Sequence, residues 1–475
     1  MHERVIKGGR IALNSGWRDC DIAIDEGRIA AIGLGLKGMS VSDASGLWVM
    51  PGGIDAHCHL DQPSWGGADT ADGFRSGSIS AAFGGTTCIV PFAMPGPGMT
   101  TLEAFDRSLA CADAQSILDF SLHGVFTPAS GDVVTQLRSL AALGIPSVKA
   151  FMTYDGFAVS DDLMLGMMDH GRALGMTVMV HAENDAIIRR TTQRLLAAGK
   201  TDFRYHSIAH SEATEREATH RVITLAEITG GRVVIVHVSG SQSLEEVTRG
   251  QTRGTDVIAE TCPQYLLLDA GCLAGDAADA ARHVFSPPPR SFASQNALWE
   301  GLSSGAIALW SSDHSPYRLA DKLPKDGKPR FDKVVSGIPG IETRLPILFS
   351  EGLCKGRLSL DRYLALAGGN AASIYGLDHA KGSIAVGLDA DIVLWDPTAR
   401  WTIRSSDLHT GVDFTPYEGC SLTGKPVAVL VRGTPIIEDG KLLPNPPQGR
   451  FVKRRAANPD TFKHPIEETT PWLDI

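Results

Sequence analysis

Apolar and polar residues alternate along the first stretch of the chain, where Val5, Ile11, Leu13, Ile22, Ile24, Ile29 and Ile32 are set between turn pairs such as Glu26-Gly27. A period of two predicts short strands, each with one buried face. The same texture returns from Gly382 to about residue 450, in Ala390-Asp391-Ile392-Val393-Leu394-Trp395 and Val427-Ala428-Val429-Leu430-Val431, with a turn at Asp439-Gly440. Two β-rich ends predict one sandwich assembled from both termini. Between them, strand-like runs alternate with segments of helical spacing, the pattern of a parallel sheet. The opening strand is read at 48–54, and seven more follow at 86–91, 118–126, 147–154, 177–181, 232–238, 256–261 and 307–312. Helical apolar spacing, as in Val133-Val134-Thr135-Gln136-Leu137-Arg138-Ser139-Leu140 and 215–228, often ends in glycine, as at Gly144, Gly175 and Gly230. Eight βα units predict a (β/α)8 barrel of the TIM type; a doubly wound open sheet has the same periodicity and is the competing topology. The expected organisation is a β-sandwich part at 1–48, a barrel at 49–380, the rest of the sandwich at 381–455 and a tail at 456–475. Pro287-Pro288-Pro289 and Pro444-Asn445-Pro446-Pro447 mark loops.

With 43% hydrophobic and 21% charged residues among 475, the chain has the balance of a globular protein, long enough for a barrel plus a smaller module. No apolar run approaches the ~18 residues of a membrane span. The N-terminus, Met1-His2-Glu3-Arg4-Val5-Ile6-Lys7, lacks the apolar segment of a secretory signal, so the expected compartment is the cytoplasm. Acidic residues outnumber basic ones by 54 to 44, giving a net charge of -10 that disfavours a nucleic-acid surface. The short basic run Lys453-Arg454-Arg455 is expected to be a solvated tail. Eight dispersed cysteines without a C-x-x-C pair fit reduced thiols.

Candidate chemistry begins in Val49-Met50-Pro51-Gly52-Gly53-Ile54-Asp55-Ala56-His57-Cys58-His59-Leu60-Asp61. On a strand, side chains one residue apart share a face, so His57 and His59 can grip one ion, whereas Cys58 should face away and pack. Alone, an H-x-H pair is a weak metal signal. Lys149, His181, His237 and Asp313 add to it, each at or just past the C-terminal end of a predicted strand. In a barrel those ends converge on the face where active sites are built. One histidine on an apolar strand is usually a core residue; four at strand ends with an aspartate make a donor set. Imidazoles and a carboxylate suit zinc, and two zinc ions a few ångströms apart activate a water and polarise a carbonyl. Lys149 is the odd member, because an ammonium repels cations. Reaction with carbon dioxide would make it a carbamate, an anion whose two oxygens can span two metals; sequence does not encode this modification.

These residues sit among further motifs: Ala81-Ala82-Phe83-Gly84-Gly85-Thr86-Thr87, Val148-Lys149-Ala150-Phe151-Met152-Thr153-Tyr154, His181-Ala182-Glu183-Asn184, Glu260-Thr261-Cys262-Pro263-Gln264-Tyr265, Ser286-Pro287-Pro288, Gly337-Ile338-Pro339-Gly340-Ile341-Glu342 and Pro416-Tyr417-Glu418-Gly419. Together they resemble the dihydropyrimidinase and D-hydantoinase family of cyclic amidohydrolases over nearly the whole chain. The resemblance implies a barrel carrying a β-sandwich, two zinc ions per subunit bridged by carboxylated Lys149, a small cyclic amide or imide substrate, and a homotetramer or homodimer. It implies that His57, His59 and Asp313 hold one metal and His181 and His237 the other. Tyr154 would hydrogen-bond the developing oxyanion, and Asp313 would also move a proton from the attacking water to the leaving nitrogen. Ser286 and Ser336-Gly337 would hold the imide edge of the ring, mainly through backbone groups.

Several positions depart from the family pattern. The loop Asp61-Gln62-Pro63-Ser64-Trp65-Gly66-Gly67 stands where relatives tend to carry a Met and a Phe and one residue fewer; Ser336 replaces an Asn, and Asp155 a Lys. These changes leave the ligand set intact and bear on the substrate. Gln62 and Ser64 are expected beside the exocyclic substituent, favouring small or polar-substituted rings, with Trp65 as the alternative, apolar wall. A dihydroorotase would show an Arg two residues after the second histidine, where this chain has Asp61. Allantoinase is an alternative that Asp61-Gln62-Pro63 and Thr261-Cys262-Pro263-Gln264-Tyr265 resemble less. A non-catalytic scaffold fits poorly with a complete ligand set.

Overall fold

Eight parallel strands follow one another in chain order around a closed barrel in the computed structural model, which describes residues 1–63, 68–323 and 328–457. The strands are Gly53–Asp55, Thr86–Ile89, a third in two halves (Asp119–Phe120 and Gly124–Val125), Ser147–Phe151, Thr177–His181, Arg232–Ile235, Val257–Thr261 and Ile307–Trp310. The first half of the third strand pairs with the second strand and the other half with the fourth, so its break is where the sheet bends round. Closure between the last strand and the first comes from backbone just past their ends. The His59 N–H donates to the His314 carbonyl at 2.8 Å and the Asp313 N–H to the His57 carbonyl at 2.9 Å. An open doubly wound sheet would leave its first and last strands at free edges or reverse the strand order, so the competing topology is excluded.

The strand sequences read as near-continuous apolar runs because both faces are covered. Ser147–Phe151 and Thr177–His181 are buried throughout. Alternate residues separate two cores: Ile54, Cys88, Val125, Met179, Val234 and Leu309 fill the barrel axis, while Val148, Ala150, Val178, Val180, Val233 and Ile235 face the helices. The helix Glu212–Thr229 buries Ala218, Val222, Ile223 and Ala226 and ends at Gly230, whose φ of 68° is the left-handed conformation glycine adopts cheaply. Among the described residues, no helix is long and apolar enough to cross a membrane.

The terminal strands form a separate pair of sheets. One has seven strands, ordered Lys441–Leu442, Thr434–Glu438, Ser421–Val431, Ile392–Thr402, Trp48–Pro51, Arg10–Leu13, Gly16–Asp19; the other has four, ordered Arg28–Gly33, Asp21–Asp25, His2–Lys7, Gly38–Asp43. Ile6, Ile22 and Ile24 from the smaller sheet and Ile11, Val49, Ile392, Leu394 and Leu430 from the larger make one apolar cluster.

Two sequence expectations are corrected here. The single opening strand at 48–54 is two strands: Trp48–Pro51 pairs with Ile392–Trp395 in the terminal sheet, and only Gly53–Asp55 belongs to the barrel. The switch falls at Gly52, where a Cβ would lie 2.1 Å from Thr87 Oγ1, so the chain passes between the units only without a side chain. The basic run is not a free tail: Lys453 and Arg455 are exposed as expected, but Arg454 is not. Arg454 is 4% exposed and donates to Ser121 Oγ at 2.9 Å, in the break of the third strand, and to Ser147 Oγ at 2.7 Å at the start of the fourth. The N–H groups of Arg454 and Ala457 donate to the carbonyls of Gly144 and Gly175, which turn into the fourth and fifth strands, so this segment covers the N-terminal end of the barrel.

Candidate active site

Strand geometry brings the predicted donors to one end of the barrel. Lys149 lies opposite Met179 in register, between outward-facing Val148 and Ala150, and therefore points into the barrel; His181, two residues beyond Met179, points the same way. His57 and His59 lie just past the first strand, and Cys58 between them packs into the outer core as alternation requires. His237 follows inward-facing Val234 and Val236, and strict alternation would send it outward. Its φ of 41° breaks that alternation. Tyr154 and Asp313 also have positive φ, 79° and 48°. Non-glycine residues in this region store on the order of 1–3 kcal/mol each and cluster where surrounding structure over-determines them, often at functional sites.

The result is a tight cluster. His57 Nε2 is 3.0 Å and His59 Nε2 3.3 Å from Asp313 Oδ1. The ring of His237 lies 5.5 Å from that of His57 and 4.6 Å from that of His181, and Tyr154 is 5.1 Å from His181, centroid to centroid. Lys149 Nζ sits 4.9 Å from the Phe92 ring and 5.1 Å from the Phe151 ring, with no carboxylate within ion-pair distance among the described residues. All six predicted ligands are thus brought together.

A second layer, largely missed from sequence, orients the first. Glu260, fully buried at the end of the seventh strand, accepts from His57 Nδ1 at 2.5 Å, the His237 N–H at 3.2 Å and Ser311 Oγ at 2.9 Å. Glu183 faces His181 Nε2 at 2.8 Å with one oxygen and His210 Nδ1 at 2.9 Å with the other. The amide oxygen of Gln62 accepts from His59 Nδ1 at 2.8 Å. These contacts free Nε2 of His57 and His59 and Nδ1 of His181 for another partner. A glutamate closing the apolar strand Val257-Ile258-Ala259-Glu260 was a legible signal for the first of them; nothing local marks its partner.

Electrostatics follow from burial and these pairs. Burial opposes the His57 imidazolium, but the Glu260 and Asp313 carboxylates lift its pKa to about 9. Burial also works against the Asp313 carboxylate, yet His57, with further hydrogen bonds from His57 and His59, holds it well below the usual range. Lys149 is pushed down to about 8 by burial, partly offset by Glu260 and Asp313. Burial pushes the Tyr154 phenol well above its ordinary range, so it is a neutral donor at pH 7.

The donor set fits divalent metal ions. Ligand atoms of His57, His237 and Asp313 lie within 4.8 Å of one another, and the buried His237 Nδ1 has no hydrogen-bond partner among the described residues. Imidazole nitrogens with carboxylate oxygen at such spacing are the ligands of zinc and similar ions.

Beside this cluster, Ser286 Oγ lies 3.0 Å from Ser336 Oγ and hydrogen-bonds Tyr154, and the Gly337 N–H donates to the Val284 carbonyl at 3.1 Å. Tyr154, Ser286, Ser336 and Gly337 therefore converge. Gln62 has a contact that its sequence position did not indicate, its carbonyl oxygen accepting from His59 Nδ1. Ser64 and Trp65 lie outside the described residues.

A barrel with imidazoles, a lysine and an aspartate gathered at the C-terminal ends of its strands defines a hydrolase site of the metal-dependent type. The chain matches the model of the Amidohydrolase family over residues 48–436. It is 38% identical over 455 residues to a D-hydantoinase of Geobacillus stearothermophilus, spanning 95% of this chain and 96% of that one. A D-hydantoinase of Rhizobium radiobacter is 38% identical over 454 residues, spanning 95% and 98%. The crystal structure of dihydropyrimidinase from Brevibacillus agri superposes with a TM-score of 0.92 at 36% identity, covering 96% of this chain and 99% of that one. The chain belongs to the amidohydrolase family, within its hydantoinase and dihydropyrimidinase branch, and is a hydrolase.

Proposed function

We propose that this enzyme opens the ring amide of dihydropyrimidines or hydantoins to N-carbamoyl amino acids, using two divalent ions, zinc by donor type. The observation that carries the reading is the convergence of His57, His59, Lys149, His181, His237 and Asp313 beside Tyr154 at one end of the barrel. His57, His59 and Asp313 would hold one ion, and His181 and His237 the other. Lys149, whose lowered pKa enlarges the share of neutral amine, would take up carbon dioxide to give a carbamate and a proton, and so span both. When bound, the metals supply Lewis acidity that lowers the pKa of a water and polarises the amide carbonyl.

The residues of the chain do the rest. Tyr154, neutral at pH 7, donates to the carbonyl oxygen as charge develops there. Asp313, ionised and hydrogen-bonded to His57 and His59, accepts the proton of the attacking water and returns it to the ring nitrogen as the C–N bond breaks. Ser286, Ser336 and Gly337 receive the imide edge. Eight free cysteines suit a reducing, cytoplasmic compartment, and resemblance to the family supports a homotetramer or homodimer. The test is a turnover panel of dihydrouracil, hydantoin, allantoin and 5-substituted hydantoins on protein of measured metal content. Ring opening of dihydrouracil or hydantoin with about two metals per chain is expected. Faster turnover of allantoin than of any of them would overturn the reading in favour of an allantoinase, and a metal-free, inert protein would point to a scaffold.

A further inference from the structure

Lys322, the last residue of the short helix Leu319–Lys322, is 1% exposed. Its ammonium donates to the carbonyls of Val284 at 2.9 Å, Val335 at 2.9 Å and Gly337 at 2.7 Å, which uses all three of its donors. No carboxylate lies within ion-pair distance of it among the described residues. Burying a cation among neutral groups is expensive, and an apolar side chain would fill the same space without that cost. Packing therefore does not explain a lysine here; the three carbonyls do. They flank Ser286 on one segment and Ser336 and Gly337 on another, and those segments also meet through the Gly337 N–H and the two serine hydroxyls.

The chemistry of the peptide group extends the argument. The Val335 carbonyl and the Ser336 N–H belong to one amide plane. An ammonium on the oxygen polarises the amide and strengthens its N–H as a donor. Among the described residues, the Ser336 N–H has no acceptor of its own. We propose that Lys322 is a positioning residue of the substrate site: it locks 284–286 to 335–337 and presents the Ser336 N–H to a carbonyl oxygen on the imide edge of the ring. The inference rests on the reading that Ser286 and Ser336-Gly337 receive that edge.

Steady-state kinetics of the metal-loaded enzyme with hydantoin test it, using Lys322→Met, Lys322→Gln and, as a direct disturbance of the edge, Gly337→Ala. A Cβ at Gly337 would lie 2.6 Å from Ser315 Cβ and 3.0 Å from Tyr317, at a φ of +144°, so this substitution must shift the segment itself. Lys322→Met should raise KM about tenfold while kcat falls less than about threefold and metal content stays unchanged. Lys322→Gln, which keeps two donors, should recover part of the loss and stands in if the methionine variant does not fold. If Gly337→Ala raises KM but neither Lys322 variant does, the role of Lys322 is overturned and the site reading survives. If Gly337→Ala leaves KM unchanged, the site reading fails and takes the inference with it. Loss of metal together with kcat in the Lys322 variants would show a merely structural lysine and also overturn the proposal.

Discussion

Replacing Glu260 by glutamine isolates the contribution of one buried charge to the metal site. The amide is nearly isosteric, so its oxygen can still accept from His57 Nδ1 and the His237 N–H while its NH2 faces Ser311 Oγ. What disappears is the charge behind a 2.5 Å contact. Hydrogen bonds to charged groups contribute about 1.5–3 kcal/mol and neutral ones about 0.5–1.5, so the loss is roughly 1–2 kcal/mol. At 1.4 kcal/mol per factor of ten, that is about 5–30-fold weaker metal binding, consistent with the effect of removing partners of ligating histidines elsewhere. Competition with a chelator of known affinity, on metal-free protein reloaded with zinc, measures it directly. A second readout separates charge from packing. In metal-free protein His57 is lifted to about 9, above its ordinary 6.5, so it is protonated at pH 7.5 and must release that proton when an ion binds. The variant should release fewer protons. The raised pKa also means that this pair stabilises the metal-free fold fully below pH 6.5 and loses that contribution as pH rises through about 9. Glu260→Gln should flatten that decline. Unchanged zinc affinity together with unchanged proton release would refute the assignment of Glu260 as the group that orients and charges His57.

Lys149→Ala should lose most metal and activity, with partial rescue by short carboxylic acids; full activity with both ions bound would remove the carbamate from the scheme. Asp313→Asn should keep part of the metal yet lose rate by on the order of 10², and a loss below about tenfold would move the proton-transfer role elsewhere. Tyr154→Phe should lower kcat more than it raises KM if the phenol serves the oxyanion, and the reverse split would make it a binding group. Gln62→Met should weaken metal binding about tenfold through His59 while leaving the ratio of kcat/KM for hydantoin and phenylhydantoin unchanged. A shift of that ratio toward the phenyl ring without a change in metal affinity would show that the amide faces substrate instead.

Strand and helix positions were legible because a period of two or of 3.6 is written in neighbouring residues, and so was the gathering of donors at strand ends once the barrel was inferred. Alternation predicted that Cys58 packs away from His57 and His59. It does not account for His237, whose left-handed φ of 41° breaks the alternation. Nor did it separate Trp48–Pro51 from Gly53–Asp55, since both halves are apolar and only their partners, Ile392–Trp395 and Thr86–Ile89, distinguish them. The basic run misled because charge alone says solvent, while Arg454 finds its acceptors on strands more than 300 residues earlier. The sequence by itself therefore indicated most of the elements, their order and the candidate metal ligands at the strand ends, because strands and helices are marked by local spacing. Only the tertiary structure decided which distant residues hold one another, Glu260 to His57 across 203 positions or Lys322 to the carbonyls beside Ser286 and Ser336, because a hydrogen-bond partner is chosen by distance in space and leaves no periodic trace along the chain.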